Sequence, residues 1–304
     1  MQRLKSHIIL LAAAIFAAAT AWASPNEPVQ VDSLAPSTDN AELPLLRPVA
    51  QMFEVQIGSG KALDTYLSPI TYRGIQTRLG YERTQAMKFN PERWVMRLQV
   101  GINYLNAHNP GKNHTMHSLN VDFLWGMMRR WRNVFGVNGL QFFVGPTIDF
   151  DGGATYCGMN SNNPVSAQIR LSAGVMPAIV YPVRLGKLPV TLRYEAQLPV
   201  LGAFFSPDYG ETYYEIYVGN HSGLVHFGWW GNRFDMRNKV LADLHLGNTL
   251  LRVGYSGLIH TSYVSKISTR RFTHCFVFGL GGEWMSIKPG TGVSPAAKTI
   301  SSMY

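Results

Sequence analysis

The chain has 304 residues, 46% hydrophobic and 15% charged, with a formal net charge of +9. That length holds one large domain or two small ones. Its basic excess, taken with the export signal described next, excludes nucleic acid as a partner and points to anionic lipid head groups, lipopolysaccharide phosphates or an acidic solute.

Arg3 and Lys5 precede an apolar run from Ile8 to Trp22, and Ala21-Trp22-Ala23 is followed by Ser24. A basic stub, an apolar core and small-x-small residues are the parts of a secretory signal peptide, expected over residues 1–23. No cysteine lies near Ala23, so no lipoprotein anchor is expected. Residues 24–47, rich in Pro, Ser, Asn and Asp, are expected to form a flexible leader. Organised sequence runs over 48–287 without a linker or a fixed repeat. A loose tail is expected over 288–304, which contains Pro-Gly-Thr-Gly-Val-Ser-Pro.

Within 48–287 the residues alternate. Trp94, Met96, Leu98, Val100, Ile102 and Tyr104 form one apolar face, opposite Arg97, Gln99, Gly101 and Asn103. Val190, Leu192, Tyr194, Ala196 and Leu198 stand in the same way against Thr191, Arg193, Glu195 and Gln197. Period two marks strands with two unlike faces. Many segments exceed the usual soluble strand of about five or six residues and suit a tilted membrane crossing. Aromatic residues such as Trp94, Trp125, Tyr181 and Trp229 cluster near segment ends, as interfacial girdles do.

The pattern predicts an all-β, transmembrane antiparallel β-barrel in the bacterial outer membrane. Twelve strands are expected, near 50–58, 68–86, 92–107, 114–129, 137–150, 164–181, 187–200, 211–220, 223–230, 236–247, 249–263 and 268–286. Ten or fourteen are the alternatives, and the split of 211–230 is the least defined part. An even number brings both ends to the periplasmic side. The reversals at Gly247-Asn248 and Val183–Gly186 are then periplasmic, and the connections near 147–164 and 201–209 face outward.

The alternation assigns candidate lumen or solute-binding residues: Arg97, Asp122, Arg170, Arg193, Glu195, Glu215, Asp243, His245, Arg252 and His260. Paired charges of both signs can fill a narrow lumen and satisfy one another, or can line a selective constriction. At strand ends, Arg129, Arg130 and Arg132 around Trp131, and Arg270 and Arg271, are candidate contacts to lipid or lipopolysaccharide phosphates. His260-Thr261-Ser262 offers a base and a hydroxyl two apart, but their parity directs both into the lumen, away from lipid. His274 shares the apolar face with Phe272, Phe276 and Phe278. His221 beside Ser222, and the loop histidines His108, His114 and His117, form no ligand set. No catalytic residue, metal or cofactor is assigned. Cys157 and Cys275 have no zinc spacing and are expected as free thiols, although an exported chain permits a bridge.

Gly210-Glu211-Thr212-Tyr213-Tyr214, Gly219-Asn220-His221-Ser222-Gly223, Asp243-Leu244-His245-Leu246-Gly247, Gly254-Tyr255-Ser256-Gly257-Leu258 and Arg270–Phe276 resemble a family of exported Bacteroidota proteins with no established activity. The resemblance covers about a quarter of the chain and implies an outer-membrane barrel without naming a substrate. Ser206–Tyr213 is similar to a stretch of outer-membrane phospholipase A, which implies a twelve-stranded barrel. This chain departs from that family: His260-x-Ser262 follows the stretch instead of preceding it, and no downstream Asn matches, so no catalytic role carries over. The function expected is a porin-like channel for a small solute, or a binding or structural barrel. The alternatives are a lipid-modifying hydrolase and an accessory subunit that binds an envelope protein.

Overall fold

The computed structural model describes residues 45–220, 222–247, 249–285 and 298–302. The expected signal peptide and most of the leader lie outside these residues. Where the sequence alternates, the chain runs as long strands: β1 (Val49–Asp64), β2 (Ser68–Ala86), β3 (Trp94–His108) and β4 (Thr115–Arg132). β5 comprises Gln141–Val144 and Pro146–Cys157. β6 comprises Val165–Val175 and Ala178–Leu185, with Pro177, which has no N–H to give a ladder, at the break. β7 is Leu188–Phe205, β8 is Val225–Trp229 with Arg233–Leu246, β9 is Thr249–Val264 and β10 is Ile267–Trp284.

Every strand pairs antiparallel with its sequence neighbours, and β10 pairs back onto β1 from Thr269↔Asp64 to Trp284↔Val49. The ladder therefore closes on itself with ten strands among the described residues. β5 stays one strand across Gly145, where a side chain would strike the Met127 carbonyl oxygen at 1.9 Å.

The expected count of twelve is corrected to ten, and both differences lie between residues 211 and 247. Residues 211–220 contain no strand: Tyr213–Tyr217 is a short helix, α1. Thr212 Oγ1 accepts from the Glu215 amide (3.2 Å), and the Glu215 carboxylate accepts from the Thr212 amide (2.7 Å). This reciprocal capping box satisfies two amides that a helix start leaves unpaired. The expected strands 223–230 and 236–247 are halves of β8, because both pair with β7: Leu201↔Trp229 in one half and Gln197↔Arg237 in the other. At the break the Asn232 side chain bonds the Trp229 amide and the Phe227 carbonyl.

Val49 and Trp284 mark the lower end of the barrel. The reversals at Gly186 and Gly247 lie there, at φ +63° and φ +65°, and the two-residue turn Ser265-Lys266 lies at the opposite end. Two-residue hairpin turns need such left-handed conformations, which glycine adopts without strain. The opposite end carries the longest connection, 206–224, with α1. The expected outer connection at 147–164 shortens to 158–164, because β5 continues as strand to Cys157.

The barrel is apolar outside and charged inside. Ile57, Ile75, Leu171, Leu192, Val240 and Phe276 project outward and are exposed. Their strand neighbours Gln56, Gln76, Ser172, Arg193, Lys239 and Cys275 are buried. In water this arrangement would expose a continuous apolar wall, whereas in a bilayer the same wall meets acyl chains. Both cysteines are buried free thiols.

Part of the expected tail packs against the lower end. Lys298–Thr299 pairs in parallel with Leu45–Leu46, and Ile300 and Ser302 are buried. Ser301 Oγ donates to Glu283 (2.6 Å), and Ser302 Oγ donates to the Thr84 carbonyl (3.2 Å).

Candidate functional site: the charged lumen

Alternation on ten strands directs side chains of both signs into one narrow interior. In its lower half, four carboxylates meet four cations. Arg252 bridges Asp243 (2.6 Å), Glu54 (2.7 Å) and Glu82 (3.3 Å). Glu82 also takes Arg97 and Arg193, each at 2.7 Å. Glu195 takes Arg97 at 2.6 Å and Arg193 at 2.7 Å, while Lys239 reaches Glu54 at 2.9 Å. All eight side chains are at most 4% exposed. Isolated charges so deep would cost several kcal/mol each. Here three of the carboxylates touch at least two cations, and Asp243 holds Arg252 through two hydrogen bonds, so desolvation is offset locally. The bonds also tie β1, β2, β3, β7, β8 and β9 together across the bore.

The upper half is arranged differently. Asp122 receives Arg78 (2.8 Å), Arg237 (3.3 Å) and the Asn103 amide (2.5 Å). Asp151 pairs with Arg170 at 2.7 Å, and Asp235 receives Arg233 Nε (2.5 Å) and His260 Nδ1. Arg271 faces hydroxyl and amide oxygens: Ser118 Oγ (2.5 Å), Gln168 Oε1 (2.8 Å) and Asn120 Oδ1 (3.1 Å).

Cavities open between these groups. The uppermost is lined by Asp64, Gln168, Arg170, His260 and Ser262, and by Ser206 and Pro207 of the 206–224 connection. It shares Arg170 with a second cavity between β4, β5 and β8, which shares Asp151 and Arg237 with a third that reaches Arg271 and Cys275. The three lie side by side above the lower network and are together called the chamber. The 206–224 connection covers it, held where Tyr66 Oη donates to the Glu211 carbonyl (2.7 Å) and the Ala167 amide donates to Tyr213 Oη (2.6 Å).

The candidates from sequence divide between these regions. Arg97, Arg193, Glu195, Asp243 and Arg252 lie in the lower network, and Asp122, Arg170 and His260 in the chamber. His245, half-buried near the lower end, contacts Thr191 Oγ1 at 2.9 Å. Glu215 is not in the lumen: it caps α1 and is exposed, and the Thr212 hydrogen bonds hold its carboxyl below the ordinary carboxylate range. Of the candidate phosphate contacts, Arg129, Arg132 and Arg270 are exposed. Arg130 and Arg271 turn inward, each 6% exposed or less. The Arg130 guanidinium donates to the carbonyls of Glu92 (3.1 Å), Pro91 (3.3 Å) and Ser301 (2.9 Å). The physical reason is the pleat: adjacent strand residues point to opposite faces.

His260 faces the chamber and Asp235, and Ser262 lines the same cavity as His260. On the outer wall His274 Nδ1 lies 2.5 Å from Tyr255 Oη, and His117 Nδ1 lies 2.9 Å from Tyr104 Oη. His221 lies outside the described residues. Groups not singled out from sequence include Arg78, Glu82, Asp149, Asp151, Arg233, Asp235, Arg237 and Lys239. The even positions of β2 and the odd positions of β8 would have found Glu82 and Lys239. Asp149 and Asp151 fell in a stretch read largely as a loop, and Arg233 and Asp235 in the gap between two expected strands.

A closed antiparallel ladder with an apolar outer wall and a charged interior defines a transmembrane β-barrel. The chain belongs to a family of proteins of unknown function, DUF3316, whose model matches residues 8–290. No curated protein matches it. Among solved structures it is similar to the transport unit of the autotransporter AIDA-I from Escherichia coli. The identity is 8%, with 84% of this chain and 94% of that chain covered and a TM-score of 0.43. It is also similar to an outer membrane channel from Pseudomonas putida F1, with 9% identity, 83% and 100% covered and a TM-score of 0.33. The translocator domain of the autotransporter NalP from Neisseria meningitidis gives 11% identity, 81% and 90% covered and a TM-score of 0.32.

Proposed function

We propose that the protein is an outer-membrane barrel that binds a small solute in its upper chamber and is closed to ions across its lower half. The observation that carries this reading is the lower network, where eight charged side chains from six strands neutralise one another across the bore. A porin needs mobile ions to find uncommitted charge along an open path. Here the charges are committed to each other, and the uncommitted space lies above them. The long 206–224 connection at the upper end supports an orientation with the chain ends in the periplasm. Arg129, its guanidinium carbon 5.0 Å from the Trp131 ring centre, and Arg132 then meet the inner head groups, and Arg270 meets lipopolysaccharide phosphates.

A lipid hydrolase is the weaker reading, because an acyl chain approaches from the bilayer and His260 and Ser262 face the chamber. The test is ion conductance of the folded, inserted protein in a planar bilayer. The expected result is no steady unitary conductance. A steady, ion-selective conductance from the wild-type protein overturns the closed-barrel reading.

A further inference from the structure

Asp149 differs from the other chamber carboxylates. It is 8% exposed, its Oδ1 is fully buried, and it makes no hydrogen bond or ion pair among the described residues. The cause lies in the ladder. Its direct neighbours are Leu124 on β4 and Ser172 on β6. Leu124 has nothing to donate, and the Ser172 hydroxyl, which accepts from Arg233 Nη2 at 2.8 Å, makes no hydrogen bond to Asp149 among the described residues. The guanidinium groups lining the same cavity are engaged elsewhere: Arg233 on Asp235, Arg170 on Asp151 and Arg237 on Asp122. The cavity is thus lined by four carboxylates, Asp122, Asp149, Asp151 and Asp235, and three guanidiniums; Arg78 also pairs with Asp122, so Asp149 is the one carboxylate of the four that no guanidinium contacts within ion-pair distance among the described residues.

A buried carboxylate without a donor is costly, and a positively charged hydrogen-bond donor removes that cost. We propose that this cavity, within the solute-binding chamber of the preceding section and resting on that reading, binds the ammonium group of a small amine-bearing solute through Asp149. An ammonium fits better than a metal ion. Among the described residues no three His, Cys, Asp or Glu side chains are grouped to hold a metal. An ammonium instead brings three N–H donors and can meet the other, accessible oxygen of the Asp149 carboxylate from the cavity. The uppermost cavity lies beside this one, with Arg170 between them.

The experiment is equilibrium dialysis of the full chain, folded in detergent micelles, against radiolabelled methylammonium and, separately, radiolabelled acetate. Wild type is expected to bind one methylammonium saturably. Asp149→Asn is expected to weaken that binding at least tenfold, and Asp149→Glu to retain it. Heat-dependent electrophoretic mobility reports folding of each variant. Undiminished binding to folded Asp149→Asn overturns the assignment. If wild type binds acetate but no methylammonium, the cation assignment fails while a solute-binding chamber, reached through Arg271, stands. If it binds neither, both fail. The wild-type result decides between these even if a variant does not fold.

Discussion

The two halves of the lumen use the same residue types to opposite ends. Below, every carboxylate is matched, and Arg252 alone joins Asp243, Glu54 and Glu82. Above, Asp149 makes no hydrogen bond or ion pair among the described residues, and Arg271 donates to neutral oxygens. Buried charge that is fully paired makes a rigid wall. Buried charge left incomplete, beside a cavity, makes a site. The difference depends less on how many charges each half holds than on which neighbours the pleat and register place beside them.

That comparison can be broken by deleting charge from each half. Arg252→Met gives the largest effect. Among the described residues Asp243 has no other ion pair, and its side chain is fully buried, so the substitution strands a carboxylate. The expected loss is about 3–5 kcal/mol, the cost of breaking a buried pair from one side. Urea unfolding in lipid vesicles measures it, and a loss below 1 kcal/mol would mean that the lower network is not held together by these pairs. Asp149→Asn gives the smallest effect. It removes a charge that no donor among the described residues hydrogen-bonds, so without solute stability is expected to hold or rise slightly in the same assay. A loss as large as that of Arg252→Met would show that the chain itself compensates Asp149, and would erase the distinction between the halves.

Much of this was legible in sequence. Period-two alternation identifies the all-β barrel and places Arg97, Arg193, Glu195, Asp243 and Arg252 inside, because burial on one face is a local property of a strand. The strand count was less legible. Glu211–Asn220 alternates as a strand would, yet Thr212-x-x-Glu215 is also a capping box, and the helix is what the loop adopts. The Arg129-Arg130 and Arg270-Arg271 pairs were assigned to lipid together although parity allows only one of each to face it. Partner choice was not legible. Whether Arg237 meets Asp122 or Asp149 depends on register across strands far apart in sequence, and one residue of slip changes every pair.

The most direct test of a sealed lower half beneath a chamber entered from the outer side is sided access to Ser262, half-buried in the uppermost cavity. In a Cys157→Ala, Cys275→Ala background, Ser262→Cys would be exposed to a membrane-impermeant thiol reagent, either outside intact cells or from the periplasmic face only. The account predicts modification from outside and none from the periplasm. Equal modification from both faces would contradict it, because the reagent would have crossed the network that is held to close the bore.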